Sequence, residues 1–137
     1  KLVFKKIDAM KDFGEVCIDL GELLEELQEY SSAIINFEEA AESFDDITQV
    51  KNKAYCLYWL GSIYITQSDF STAIEYSTEA VRLCETIGDN HTLVNSLVNL
   101  AIALSNTGQM EIAKSKISQA RRIALTHGLD LSGIPII

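Results

Sequence analysis

Apolar residues recur along the chain with a helical spacing, and short polar breaks separate the segments. In the first segment they are Val16, Leu20, Leu23, Leu24 and Leu27. Steps of three and four residues are the spacing of one face of an amphipathic helix. The same pattern predicts helices over about 10–28, 31–46, 49–67, 70–87, 90–106 and 110–127. We therefore predict an all-α fold.

Small residues recur in these helices every 40 residues. Three columns of small residues and one column of leucine share this register: Gly21, Gly61 and Ala101; Ala33, Ala73 and Ala113; Ala40, Ala80 and Ala120; and Leu20, Leu60 and Leu100. A fixed period of this length is typical of a solenoid of repeated helical units. Small side chains at a helix crossing allow the two axes to approach closely, so each unit is predicted to be a tightly packed helix pair.

The register divides the chain into five segments within one domain. Residues 1–8 are predicted to be the tail of a preceding helix, because Phe4 and Ile7 fall in the columns of Phe44 and Ile47. The alternative is a short capping helix that imitates this register. The repeats are 9–47, 48–87 and 88–127, and 128–137 is an irregular tail that either frays or lies on an apolar helix face of its own or a neighbouring chain.

The middle repeat resembles the tetratricopeptide repeat. The residues that carry the resemblance are Leu57, Leu60, Gly61, Tyr64, Ala73 and Ala80. The resemblance covers residues 14–127 and implies a right-handed α-α superhelix, an α-solenoid of three helix-turn-helix repeats. The usual unit has about 34 residues. The longer unit here resembles the form in kinesin light chains, Pins-type polarity scaffolds and bacterial Rap-type peptide receptors.

The resemblance also implies that the first helix of each repeat lines a concave groove. The candidate peptide-binding residues are Glu22, Glu26, Tyr55, Tyr58, Trp59, Ser62, Asn95, Asn99 and Ile102. Aromatic rings dominate binding hot spots, and amides both donate and accept hydrogen bonds, so Tyr58 and Asn99 are the chief predicted contacts. The alternatives are that Trp59 packs between repeats, that the amides contact only water, and that the acids form a solvated face.

Charge limits the kinds of partner. The net charge is −9, and residues 15–46 hold eleven Asp or Glu and no Lys or Arg. This disfavours nucleic acid and membrane surfaces as partners and favours a protein or peptide that is basic or contacts the amides. Three cysteines without a Cys-x-x-Cys motif indicate reduced thiols and a cytoplasmic protein. His91 and His127 lack metal-ligand spacing, so we predict no metal, cofactor or catalytic site.

These patterns predict a protein–protein interaction scaffold. One alternative is a structural segment of a longer array that associates with itself through its terminal repeats or its tail. In that arrangement the acidic first repeat would stack on a last helix that carries Lys114, Lys116, Arg121 and Arg122. The other alternative is the peptide-sensing domain of a bacterial regulator. Chaperone-tail binding is not expected, because Ile18 and Glu22 occupy slots where that class has Lys and Asn.

Overall fold

The computed structural model describes the backbone of residues 2–44 and 49–136 and the side chains of 14–44 and 49–136. This part of the chain forms six helices and no strand: α1 (Leu2–Glu26), α2 (Tyr30–Ser43), α3 (Val50–Thr66), α4 (Phe70–Ile87), α5 (Asn90–Asn106) and α6 (Met110–His127). Each odd-numbered helix packs on the next helix, and α2 packs on α3, α4 on α5 and α3 on α5. The all-α solenoid of three helix pairs is confirmed.

The 40-residue period appears in the positions of helices and turns. The second helices begin at Tyr30, Phe70 and Met110, and the first helices of the second and third pairs begin at Val50 and Asn90. The turns within the three pairs have left-handed backbone at equivalent positions: Gln28 (φ 62°), Ser68 (φ 60°) and Gly108 (φ 84°). Because a left-handed residue reverses the chain after a helix, the same local device closes every pair.

The small columns mark close helix crossings. A Cβ atom added to Gly61 on α3 would lie 2.6 Å from Ser77 Oγ and 3.7 Å from the carbonyl oxygen of Ala73 on α4. A Cβ on Gly21 would lie 2.9 Å from the ring of Phe37. Both distances leave no room for a larger side chain, as the packing argument predicts.

The core consists of two apolar clusters that follow the chain. The first joins α1 and α2 to α3 and contains Cys17, Phe37, Phe44 and Leu60. The second joins α4, α5 and α6. All three cysteines are free and buried, and burial raises the pKa of both Cys56 and Cys84 to about 12. These thiols therefore act as small apolar groups of the core.

The first helix differs from the sequence prediction in two ways. Residues 2–26 form one continuous helix, without the turn that the register predicted near residues 8–10. The sequence from Leu2 to Phe13 contains no Gly or Pro, so no helix breaker separates the two predicted segments. The stripe that indicated this helix is also mostly exposed, as described below. The predicted end of the second helix, residues 45–46, lies outside the described residues.

The tail is irregular and lies on its own chain. Ile134 is buried in the second cluster, and Arg121 Nη2 on α6 donates a hydrogen bond of 3.4 Å to the carbonyl oxygen of Pro135. Ile134 stands 40 residues after Val94 on α5, which stands 40 after Ala54 on α3, and all three are buried. The tail therefore fills, without helical structure, the place that a first helix fills in the two preceding pairs.

Candidate functional site

Three aromatic residues of α3 form a cluster at the centre of the candidate site. Tyr55, Tyr58 and Trp59 follow the i, i+3, i+4 spacing that brings side chains together on a helix. Their ring centroids are 5.6–6.3 Å apart. All three side chains are half-buried, so the cluster has both a packed side and an accessible side.

Trp59 is largely a packing residue. Its ring stacks on Phe37 of α2, with the centroids 5.7 Å apart and the planes inclined by 5°. Its Nε1 is buried and has no hydrogen bond of ordinary geometry within the described part of the chain. The indole N–H lies close enough to Tyr55 to oppose the rise in the pKa of its hydroxyl. Trp59 thus joins the first two repeats and supports the two tyrosines.

Glu22 links α1 to the aromatic cluster. The Tyr55 hydroxyl donates a hydrogen bond of 2.5 Å to Glu22 Oε1. Burial and then this bond raise the pKa of Tyr55, and burial followed by the charge of Glu25 raises the pKa of Tyr58. Glu26, one turn after Glu22, is exposed. The rings therefore adjoin the carboxylates of α1, a setting that favours a cation.

The predicted amides of α5 lie in different surroundings. Asn99 is only 9% exposed, and its Nδ2 donates a 3.3 Å hydrogen bond to the main-chain carbonyl oxygen of Tyr58. Asn95 is half-buried and lines a cavity of about 200 Å³ together with His91 and residues of the tail. Asn99 therefore joins two repeats, whereas Asn95 lies next to the tail.

Ser62 on α3 and Ile102 on α5 complete the predicted set, and both are half-buried. Helical spacing places Ser62 one turn beyond Tyr58 and Ile102 one turn beyond Asn99. We call the side of α1, α3 and α5 that carries the nine predicted residues the candidate face. Its contacts across helices join Glu22 to Tyr55 and Tyr58 to Asn99.

Sequence reasoning missed two parts of this site. The first is the support of Trp59 by Phe37, which the mid-helix column of Phe37, Ser77 and Ile117 could have suggested, since an aromatic residue occurs there only in the first repeat. The second is the cavity beside Asn95, which no local pattern indicates because the tail forms one wall.

The described ranges contain neither a metal-binding cluster nor a membrane-spanning helix. No group of three or more His, Cys, Asp or Glu side chains there is arranged to hold a metal ion. No helix in the same ranges has the length and apolar character needed to cross a bilayer.

Comparison with solved structures shows several chains of similar fold, of which two are described. BtubC (BKLC) from P. vanneervenii superposes with a TM-score of 0.76 at 19% identity, over 90% of this chain and 52% of that chain. The chain thus spans about half the length of BtubC. The N-terminal domain of stress-induced protein-1 (STI-1) from C. elegans has a TM-score of 0.65 at 20% identity, over 84% of this chain and 87% of that domain. At these identities the likeness concerns the fold.

Sequence comparison finds the same type of repeat. Comparison with curated proteins found no significant match. Residues 14–46 and 54–87 match the sequence model of the tetratricopeptide repeat. The first stretch begins within α1 and includes α2, and the second begins within α3 and includes α4. The predicted resemblance to the tetratricopeptide repeat is therefore confirmed, with two such repeats at these positions.

Proposed function

We propose that the chain is a protein-interaction module that binds an extended or helical segment of a partner on the candidate face, without catalysis. Tetratricopeptide repeats generally mediate protein–protein interaction. The observation that carries the proposal is the half-exposed cluster of Tyr55 and Tyr58 beside the carboxylates of α1. Tyrosine in such a position offers apolar area with a polar tip, as in binding hot spots.

Charge favours a partner segment that carries Lys or Arg. A cation above Tyr58 would contact the ring face and would also lie near Glu25, whose charge acts on Tyr58. Its attraction to the exposed Glu26 would be screened by salt. Three buried free thiols favour a reducing compartment such as the cytoplasm for this interaction.

The candidate residues divide into contacts and supports. The proposed contacts are the candidate residues that retain accessible surface and do not chiefly join helices: Glu22, Glu26, Tyr55, Tyr58, Ser62, Asn95 and Ile102. Asn99 and Trp59 hold the helices together through the Tyr58 carbonyl and the Phe37 ring. A binding test should therefore change Tyr58 and leave Asn99 intact.

The test is a selection of random displayed peptides on the immobilised chain, followed by titration of the selected peptides. Trp59 is the single tryptophan, so its fluorescence reports binding at the candidate face. Tyr58→Ala is expected to weaken binding about tenfold or more. The matched control is Ile112→Ser on α6, an exposed position outside this face.

Selected peptides are expected to be enriched in Lys or Arg and to bind more weakly at high salt. Peptides that bind equally well to the Tyr58→Ala variant, or that leave Trp59 emission unchanged, would place binding elsewhere and overturn the proposal.

A further inference from the structure

The first helix has an apolar stripe that no other described part of the chain covers. Val16 is 63% exposed, Leu20 43% and Leu23 50%. Leu27 continues the stripe one turn later and is also exposed. These steps of four, three and four residues place Val16, Leu20 and Leu23 on one line along α1, with Leu27 directly after the end of the helix. We call this line the α1 end face.

The positions of Val16, Leu20 and Leu23 are buried in the two following repeats, whereas the equivalents of Leu27, Gln67 and Thr107, are exposed. Cys56, Leu60 and Ile63 stand 40 residues after Val16, Leu20 and Leu23, and each is at most 1% exposed. Their equivalents on α5 are Ser96, Leu100 and Ala103, each at most 5% exposed. On α3 these side chains share an apolar cluster with Phe37 and Ala40 of α2 and with Phe44, which caps the C-terminus of α2. On α3, the residues in this column therefore pack against the second helix of the preceding repeat. Within the described residues, no helix packs in that way against α1.

The opposite end of the solenoid is closed by the chain itself. Arg121 on α6 stands in the column of Ala41 and Val81, which are apolar and buried in the other repeats. Its guanidinium bonds the tail at Pro135, and Ile134 fills the adjacent slot. A second copy stacked end to end would have to displace this tail. Because the tail already covers the end of the solenoid at α6, that end of a second copy is not free to bind the α1 end face.

Charge specifies the occupant further. Glu15, Asp19 and Glu26 are exposed along one side of the stripe, and residues 15–46 contain no Lys or Arg. A contact between the α1 end faces of two copies would bring these carboxylates together, which is unfavourable. A helix with cations beside its apolar residues would instead meet opposite charge.

We propose that the α1 end face is a second docking surface, which binds an amphipathic helix of a separate protein whose apolar stripe is bordered by Lys and Arg. The geometry is that of α2 on α3, with the partner helix in the place of α2. The α1 end face adjoins the candidate face at Glu26, which borders both, but it is separate from the aromatic cluster of Tyr55, Tyr58 and Trp59, which lies on α3.

The test uses a labelled synthetic helical peptide with leucine at every third and fourth position and lysine on both flanks. A second peptide carries glutamate in place of lysine. Binding is measured by fluorescence anisotropy with the whole chain and with Leu20→Ser/Leu23→Ser. Both leucines are exposed, so this variant is expected to fold. The matched control is Ile112→Ser/Leu125→Ser, two exposed apolar residues of α6.

The lysine peptide is expected to bind the unchanged chain and the α6 control equally, and the α1 variant about tenfold more weakly. Tyr58→Ala should leave this binding unchanged, which separates it from the peptide binding proposed above. Equal binding of the glutamate peptide, or no loss in the α1 variant, would overturn the proposal. So would sedimentation showing a dimer that the α1 variant abolishes, because the occupant would then be a second copy.

Discussion

Asn99 on α5 and Tyr58 on α3 are joined by a hydrogen bond of 3.3 Å, from the side-chain amide of Asn99 to the main-chain carbonyl oxygen of Tyr58. The helical carbonyl thereby receives a side-chain donor from the next repeat. Since Asn99 is 9% exposed, its amide is chiefly a link between repeats at the point where a bound peptide would lie.

Asn99→Ala should reduce the free energy of unfolding by about 0.5–1.5 kcal/mol, because the hydrogen bond between the repeats is lost. Urea unfolding followed by circular dichroism measures this change. Asn95→Ala, one turn earlier and half-buried, is the control and should change stability less. If Asn95→Ala lowers the free energy of unfolding more than Asn99→Ala does, the hydrogen bond from Asn99 to Tyr58 contributes little to stability.

Gly61 and Ser77 should show coupled effects on stability. Gly61→Ala gains about 0.8–1 kcal/mol of helix propensity, but its methyl group would lie 2.6 Å from Ser77 Oγ. Ser77→Ala removes that hydroxyl, which is buried without a partner in the described residues, and leaves a Cβ–Cβ separation of 3.7 Å. The double variant should therefore be more stable than the original chain.

All four members of this cycle can be compared by thermal unfolding. A double variant that melts below the original chain would show that the helix crossing requires Gly61 for another reason.

Substitutions at two equivalent left-handed turn positions, Ser68→Gly and Gly108→Ala, should change the free energy of unfolding in opposite directions. Ser68 has φ 60°, a left-handed conformation that costs a non-glycine residue energy. Ser68→Gly is expected to raise the free energy of unfolding by about 0.5–1 kcal/mol after the entropy of the unfolded glycine is deducted. Gly108→Ala, at φ 84° with open space around the new methyl, should lower it by a similar amount. Chemical denaturation measures the free energy of unfolding of both variants. Changes of the same sign would show that the left-handed backbone does not determine the stability of these turns.

The tail should stabilise α5 and α6 through one side chain. Ile134 is 7% exposed and Ile136 is 95% exposed. Ile134→Ala should cost about 2 kcal/mol, since a buried isoleucine loses packing. Ile136→Ala is the matched control and should be neutral in the same thermal unfolding experiment. Equal effects of the two substitutions would show that the tail does not pack as described.

Stability should fall at alkaline pH. Burial first, and then the charge of Glu38, raise the pKa of Tyr76 from its ordinary value of 10.0 to about 12. Burial raises the pKa of Cys56 and Cys84 from 9.0 to about 12. The folded state thus holds these protons more tightly than the unfolded state. The stabilisation is complete below pH 9 and is lost as the pH rises towards 12.

Tyr76→Phe should make the loss between pH 10 and 12 shallower in urea unfolding at several pH values. If the stability of Tyr76→Phe falls as steeply with pH as that of the original chain, ionisation of Tyr76 does not contribute to the alkaline loss of stability.

Helix ends and the repeat period could be predicted from the sequence because they depend on neighbouring residues. At the starts of α4 and α5, the side chains of Asp69 and Asp89 accept hydrogen bonds from the main-chain N–H groups of Thr72 and Thr92. Gly88 and Gly128 end α4 and α6 in left-handed conformation. The aromatic cluster of α3 was predictable for the same reason, since its spacing lies within one helix.

The role of each exposed or buried side chain required the tertiary structure. The stripe of Val16, Leu20 and Leu23 has the pattern of a core face, yet it is exposed, because a column in a solenoid is buried only where a neighbouring repeat covers it. Asn99 was predicted as a groove contact, and the sequence left open whether Trp59 contacts a partner or packs between repeats. The structure shows that Asn99 bonds to α3 and that Trp59 stacks on Phe37 of α2. The sequence alone thus determined the helix pairs and their 40-residue period, and it predicted the residues of the candidate face. Only the packing of distant segments decided which of these residues remain available to a partner.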